Sequence, residues 1–120
     1  MNHIGFGLVL DVADPDAVAP FWAAALSYTV VGGVGNYVML LPEGRSGPKL
    51  LLQRVPEGKT GKNRMHLDID APDIEAEAER LQALGARRLE PGQVQEHGHR
   101  WIRMADPEGN EFCLSEAAAA

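Results

Sequence analysis

The stretch LDVADPD at residues 10–16 returns almost unchanged as LDIDAPD at residues 67–73, an offset of 57 residues in a chain of 120. An apolar stretch follows each copy and ends in a similar way, with ALS at residues 25–27 and ALG at residues 83–85. The second pair lies 58 residues apart, so one residue has slipped between the copies. Two copies are too few for a repeat array. The repeat therefore predicts two similar modules.

Each copy begins with a segment of alternating apolar residues. In residues 5–12, the side chains of Leu8, Leu10 and Val12 share one face, and residues 66–70 follow the same rule with Leu67 and Ile69. A period of two with one apolar face is typical of a half-buried strand. Each module is therefore predicted to start with a strand whose other face is polar.

A helix follows the strand in each module. Asp14 is predicted as the N-cap of the first helix, with Pro15 at its first position. Apolar residues at positions 18, 21, 22 and 25 form its core-facing stripe. The second helix has apolar residues at positions 74, 78 and 81, and Gly85 is predicted to end it.

Short β-like segments complete both modules. In the first module they are residues 28–31, 36–41 and 49–55, and in the second they are residues 86–89, 100–105 and 111–115. Residues 56–63, rich in glycine, proline and lysine, are predicted to be an exposed linker. The sequence thus predicts an α+β fold with the order βαβββ twice: module one at about residues 1–55, and module two at about residues 64–116.

Composition excludes several classes of partner. Eleven basic against seventeen acidic residues give a net charge of −6, which argues against nucleic-acid binding. The single cysteine, Cys113, excludes an intramolecular disulfide and a thiolate zinc cage. No apolar run approaches the roughly 20 residues of a membrane span, and residues 1–10 lack the features of a secretion signal. A cytoplasmic location without a membrane partner is the expectation.

Three stretches carry a resemblance to a known family. Residues 14–22 (DPDAVAPFW), residues 64–68 (RMHLD) and residues 101–114, which include DPEGNEF, occur in the order and spacing of the vicinal oxygen chelate superfamily. The chain is most similar to its glyoxalase, bleomycin-resistance and dioxygenase group. The resemblance covers the whole chain as one domain. It implies a single curved, cup-like mixed sheet with helices outside, a ligand pocket inside, and a homodimer.

The resemblance also concerns a metal centre. Enzymes of this superfamily hold a divalent metal through four strand positions, which fall here near Gly7 or Val9, near Gln53, on His66 and on Cys113. Glycine and valine offer no ligand atom, and cysteine stands where glutamate is typical. A stable metal centre needs at least three protein ligands. The prediction is therefore no metal site and no cofactor, with a divalent metal as the less favoured alternative.

The polar faces of the two first strands suggest a catalytic group. Strand alternation places Asp11, His66 and Asp68 opposite the core, and the repeat makes Asp11 the counterpart of Asp68. Neighbouring carboxylates and an imidazole tune one another for proton transfer. These three are the candidate catalytic residues. The alternative is that Arg64 or Arg103 holds the aspartates in a structural role.

Four further residues are predicted to contact a ligand, namely Gln53, Trp101, Arg103 and Cys113. The indole offers a stacking surface, although core packing is an equal alternative, and the thiol is alternatively a small buried side chain. Residues 91–98 are predicted to be an exposed loop, and His97 and His99 are interpreted as surface histidines without a metal-binding role. Three functions stay open: metal-free binding of a small molecule, a metal-independent lyase, isomerase or hydratase, and a metal-dependent lyase or dioxygenase with atypical ligands.

Overall fold

A computed structural model describes residues 7–45, 47–63, 65–96 and 98–116. Its chain divides into two compact units, Met1–Lys59 and Thr60–Ala120. The division falls inside the predicted linker, and the two units are called module one and module two. Neither helix of the described chain is long and apolar enough to cross a membrane.

Module one contains a four-stranded mixed sheet. Its strands are β1 (Leu8–Val12), β2 (Tyr28–Val34), β3 (Tyr37–Pro42) and β4 (Leu50–Arg54), in the spatial order β1-β4-β3-β2. β1 runs parallel to β4, and the other neighbours are antiparallel. A one-turn 3₁₀ helix, Glu43–Arg45, follows β3. The edge strand β2 carries a bulge, where the register shifts between Val30 and Gly32.

Helix α1 (Pro15–Leu26) covers one face of this sheet. As predicted, Asp14 is the N-cap, and its carboxylate accepts a hydrogen bond from the backbone N–H of Ala17 at 3.3 Å. The rings of Phe21 and Trp22 are buried and meet edge to face, with centroids 5.2 Å apart. This aromatic pair fills the core of module one.

Module two contains a five-stranded mixed sheet. Its strands are β5 (Leu67–Ala71), β6 (Arg87–Arg88), β7 (Val94–Glu96), β8 (His99–Ala105) and β9 (Glu111–Glu116). The spatial order is β5-β9-β8-β6, and β7 also pairs with β8. β5 runs parallel to β9, and the remaining pairs are antiparallel. The α+β class and the strand–helix–strand order of both modules are thus confirmed.

Helix α2 (Ile74–Ala83) packs against β8 and β9. Asp73 caps its N-terminus by accepting a hydrogen bond from the N–H of Ala76 at 3.1 Å. Gly85 follows the helix with φ of 114°, a value that favours glycine. The sequence prediction of this end is therefore confirmed.

A buried aspartate fixes the turn between β8 and β9. Asp106 is 1% exposed, and its carboxylate accepts hydrogen bonds from the N–H groups of Glu108 at 2.9 Å and Asn110 at 2.8 Å. It also accepts a bond from the Asn110 side-chain amide at 3.1 Å. These bonds hold the two central strands of module two in register.

Two predictions about the chain's organisation are wrong. Strand β7 lies in the segment assigned to a loop, so module two has one strand more than βαβββ. The structural repeat is 59 residues, because β1 and β5 show the same burial pattern and the helix caps are Asp14 and Asp73. Asp11 therefore corresponds to Asp70, and Asp68 corresponds to Val9. Pairing Asp11 with Asp68 aligns similar residues, but it misaligns the helix caps and the burial patterns of the two modules.

Candidate functional site

The sheet of module two has one buried face and one polar face. Ile102 in β8 and Leu114 in β9 are fully buried on the face that α2 covers. Because strand residues alternate between faces, their neighbours in sequence lie on the other face. We call this other face, formed by β5, β9 and β8, the polar face. The candidate site lies there.

Strand register arranges the polar face in rows. One row runs from Asp68 in β5 through Cys113 in β9 to Arg103 in β8. Residues directly opposite one another in a sheet lie about 5 Å apart and point to the same side. These three side chains, predicted separately from the sequence, are therefore adjacent.

A second row on the same face runs from Asp70 through Ser115 to Trp101. Trp101 is half-buried and Asp70 is exposed. The indole therefore contributes an apolar surface beside hydroxyl and carboxylate groups. Sequence reasoning missed Asp70 and Ser115, although the period of two that selected Asp68 also places Asp70 on this face.

His66 precedes β5 and joins the first row. Its Nε2 atom lies 3.2 Å from Oδ1 of Asp68, and both side chains are about half exposed. Potential ligand atoms of His66, Asp68 and Cys113 all lie within 4.8 Å of one another. We call these three residues the triad. The structure thus brings together two predicted catalytic residues and one predicted ligand-binding residue.

The thiol of the triad is not activated. Burial raises the pKa of Cys113 above its usual value, and the nearby Asp68 carboxylate raises it further. Arg103 and Lys62 act in the opposite direction, but the net shift is upward. Cys113 is therefore a neutral thiol near pH 7, which does not favour a role as nucleophile.

Glutamates hold the basic side chains of the polar face. Arg103 pairs with Glu90 at 2.7 Å and with Glu111 at 3.4 Å. Glu111 also lies 3.7 Å from the Lys62 ammonium. The hypothesis that Arg103 holds Asp68 in place finds no support in these contacts, because its guanidinium faces two glutamates. Arg64, the other proposed partner, lies outside the described residues.

A cavity of about 790 Å³ opens over the polar face. This volume lies within the range of small-molecule pockets, roughly 300–1,000 Å³. Within the described part of the chain, the lining residues all belong to module two: Lys62, His66, Asp68, Asp70, Glu96, His99, Arg100, Trp101, Arg103, Glu111, Phe112, Cys113, Ser115 and Glu116. His99, interpreted from the sequence as a surface histidine, begins β8 and lines this cavity, whereas His97 lies outside the described residues.

The donor atoms of the chain can be compared with the metal centre that the resemblance implies. Gly7 has no ligand atom, and the 59-residue repeat identifies it as the counterpart of His66. The usual ligand set therefore does not fit this sequence. The triad offers a different set of imidazole, carboxylate and thiol donors, which are the ligand types that Zn²⁺ accepts. A cation held there would act as a Lewis acid toward an oxygen of the substrate.

The predicted residues of module one lie on neighbouring strands. Asp11 in β1 is directly opposite Gln53 in β4, and Gln53 is also opposite Tyr37 in β3. Asp11 is exposed and Gln53 is half-buried. Both stand on the face that alternates with the buried residues Val12 and Leu52. Their participation in a site stays a prediction.

A glyoxalase-like domain family model matches residues 7–115. The fosfomycin resistance protein FosX from Listeria monocytogenes is a structural neighbour, with a TM-score of 0.76, 17% identity, and coverage of 98% of this chain and 94% of the other. A glyoxalase-related enzyme from Fulvimarina pelagi gives a TM-score of 0.71, 20% identity, and coverage of 97% and 89%. These likenesses concern the fold. A search of the curated proteins returns no significant match.

Proposed function

Because the chain belongs to the glyoxalase-like domain family, we propose that it binds a small organic molecule on the polar face of module two without the usual metal centre. The observation that carries this proposal is the cavity of about 790 Å³, with the half-buried Trp101 in its lining. Pockets that combine an apolar wall with a few converging polar groups are the usual sites of small ligands. Sequestration of a metabolite or an antibiotic is the simplest activity for such a site.

The test is a search for bound small molecules. Protein purified without a histidine tag is incubated with a metabolite extract, separated from free compounds and analysed by mass spectrometry. We expect one class of compound to be retained by the natural chain and lost from Trp101→Leu, with melting temperatures showing that both chains are folded. Glu57→Gln, an exposed change in the linker, is the control. Equal retention by Trp101→Leu contradicts the proposal.

The contact between His66 and Asp68 favours a second candidate, a lyase, isomerase or hydratase. A carboxylate 3.2 Å from an imidazole can orient the ring while the ring exchanges a proton with a substrate. Turnover that persists after extensive chelation supports the metal-independent reaction. Turnover that is lost on chelation and restored by Zn²⁺ or Mn²⁺ supports the metal-dependent alternative instead.

We further propose that the protein acts as a homodimer in the cytoplasm. Edge strand β2 exposes Val31 and Val34, and exposed edges are usually paired or covered. A single free cysteine is typical of chains that function in a reducing compartment. Sedimentation of the purified protein and fractionation of cells test the two parts separately.

A further inference from the structure

The charges around the cavity of module two are unevenly matched. Among the residues that the structure describes, five carboxylates but only three lysine or arginine side chains line it. The three basic side chains, Lys62, Arg100 and Arg103, each lie within 3.7 Å of a glutamate carboxylate. An anionic ligand would have to compete with these glutamates for the cations. The cavity is therefore poorly suited to a phosphonate or carboxylate ligand.

Asp70 is the carboxylate whose charge is best placed to act on a ligand. It is exposed, it lines the cavity, and neither a hydrogen bond nor an ion pair joins its side-chain carboxylate to another residue within the ranges that the structure describes. Asp68, by contrast, has His66 beside it, and Glu116 has Arg100 at 3.1 Å. A cationic group on a ligand would thus meet Asp70 without breaking an existing ion pair.

An aromatic surface lies in the same row as Asp70. Ser115 separates Asp70 from Trp101, so the backbones of these two residues are two strand spacings apart, about 10 Å. A flat ring stacked on the indole and carrying a short side arm spans that distance. The face of an indole also attracts positive charge, which adds to the effect of the carboxylate.

From these observations we infer that the ligand of module two is an organic cation with a planar ring, which stacks on Trp101 and directs its charged group to Asp70. This inference rests on the proposed function and specifies the chemistry of the same cavity. Ser115 lies between the two groups and offers a hydroxyl to the side arm. Phosphonates, such as the compound bound in a FosX structure from Listeria monocytogenes, belong to the disfavoured class.

Three probes of nearly equal shape test the charge preference: phenethylamine, 2-phenylethanol and 3-phenylpropionate. Their affinities are measured by ligand-detected NMR and calorimetry at low ionic strength, where an exposed charge pair is least screened. We expect the amine to bind at least about threefold more tightly than the alcohol, and the carboxylate to bind most weakly. Asp70→Asn should remove the advantage of the amine. Glu57→Gln, which removes one exposed negative charge from the linker, should keep it.

Each other outcome overturns the inference. Binding of the carboxylate as tightly as the amine contradicts the charge preference, as does a ranking that Asp70→Asn leaves unchanged. If the alcohol or the carboxylate binds as tightly as the amine and Trp101→Leu weakens that binding, the cavity still binds small molecules and only the charge preference fails. Absence of binding by all three probes at millimolar concentration also refutes the inference, while the metabolite-extract experiment judges the proposed function on its own.

Discussion

Replacement of Asp68 by asparagine should change the chemistry of the polar face and leave the fold nearly intact. The amide has almost the shape of the carboxylate, so packing is preserved. The side chains of His66 and Asp68 are 50% and 58% exposed, and exposed ion pairs contribute about 1 kcal/mol or less to the free energy of unfolding. For a domain of this size, that corresponds to a fall in melting temperature of about 5 °C or less.

The same substitution should accelerate alkylation of Cys113. The Asp68 carboxylate raises the pKa of the thiol, so its removal lowers the pKa and increases the thiolate fraction at neutral pH. The carboxylate and the sulfur lie within 4.8 Å of each other, and a unit charge at that distance in water changes the ionisation free energy of the thiol by about 1 kcal/mol. This corresponds to roughly a fourfold increase in thiolate. A less basic thiolate is also a weaker nucleophile, which reduces the expected gain in rate to about twofold.

The assay is the rate of iodoacetamide modification at pH 7, followed by mass spectrometry on natural, Asp68→Asn and Asp70→Asn chains. Asp70 is the matched control, because it lies on the same strand and face but is not among the groups that shift the pKa of Cys113. An unchanged or slower rate in Asp68→Asn, or an equal gain in Asp70→Asn, refutes the electrostatic reasoning. A loss of 3 kcal/mol or more in the free energy of unfolding shows instead that Asp68 is a structural residue.

Three further outcomes are expected. Asp106→Ala should lower the free energy of unfolding by about 3 kcal/mol in urea titrations, because it leaves three buried or half-buried donors without their acceptor; a loss below 1 kcal/mol contradicts that account. Elemental analysis of untagged protein should find less than one equivalent of divalent metal, because Gly7 supplies no ligand atom; a full equivalent that His66→Ala abolishes overturns this expectation. Sedimentation at micromolar concentration should show a dimer, and a monomer rejects the proposed assembly.

Much of the fold could be predicted because its signals are local. Alternation of apolar residues identified β1 and β5, and the caps Asp14 and Gly85 marked helix ends correctly. Strand β7 was not predicted, because its sequence, Val94-Gln95-Glu96, contains one apolar residue and shows no alternating pattern of its own. The strand forms by pairing with β8. A strand that short depends on its neighbour more than on its own pattern.

The site was predicted only in part, because it depends on register between strands that are distant in sequence. Period-two alternation placed His66 and Asp68 on a polar face, but no local pattern shows that Asp68 lies opposite Cys113. The pairing of Arg103 with Glu90 and Glu111 was likewise hidden, since the partners come from different segments. The similar sequences at residues 10–16 and 67–73 also suggested an offset of 57 residues. The helix caps lie 59 residues apart, so that offset assigned Asp11 the wrong counterpart.

The position of β9 between β5 and β8 has a consequence for biosynthesis. The ribosome delivers β5 and β8 before β9, yet both strands need β9 as their neighbour in the sheet. During translation, the first strand of module two therefore waits without its parallel partner until residues 111–116 have left the exit tunnel. The polar face, whose central row contains Cys113, forms only when β9 joins the sheet, so the proposed ligand cavity is absent from a nascent chain until residues 111–116 are available.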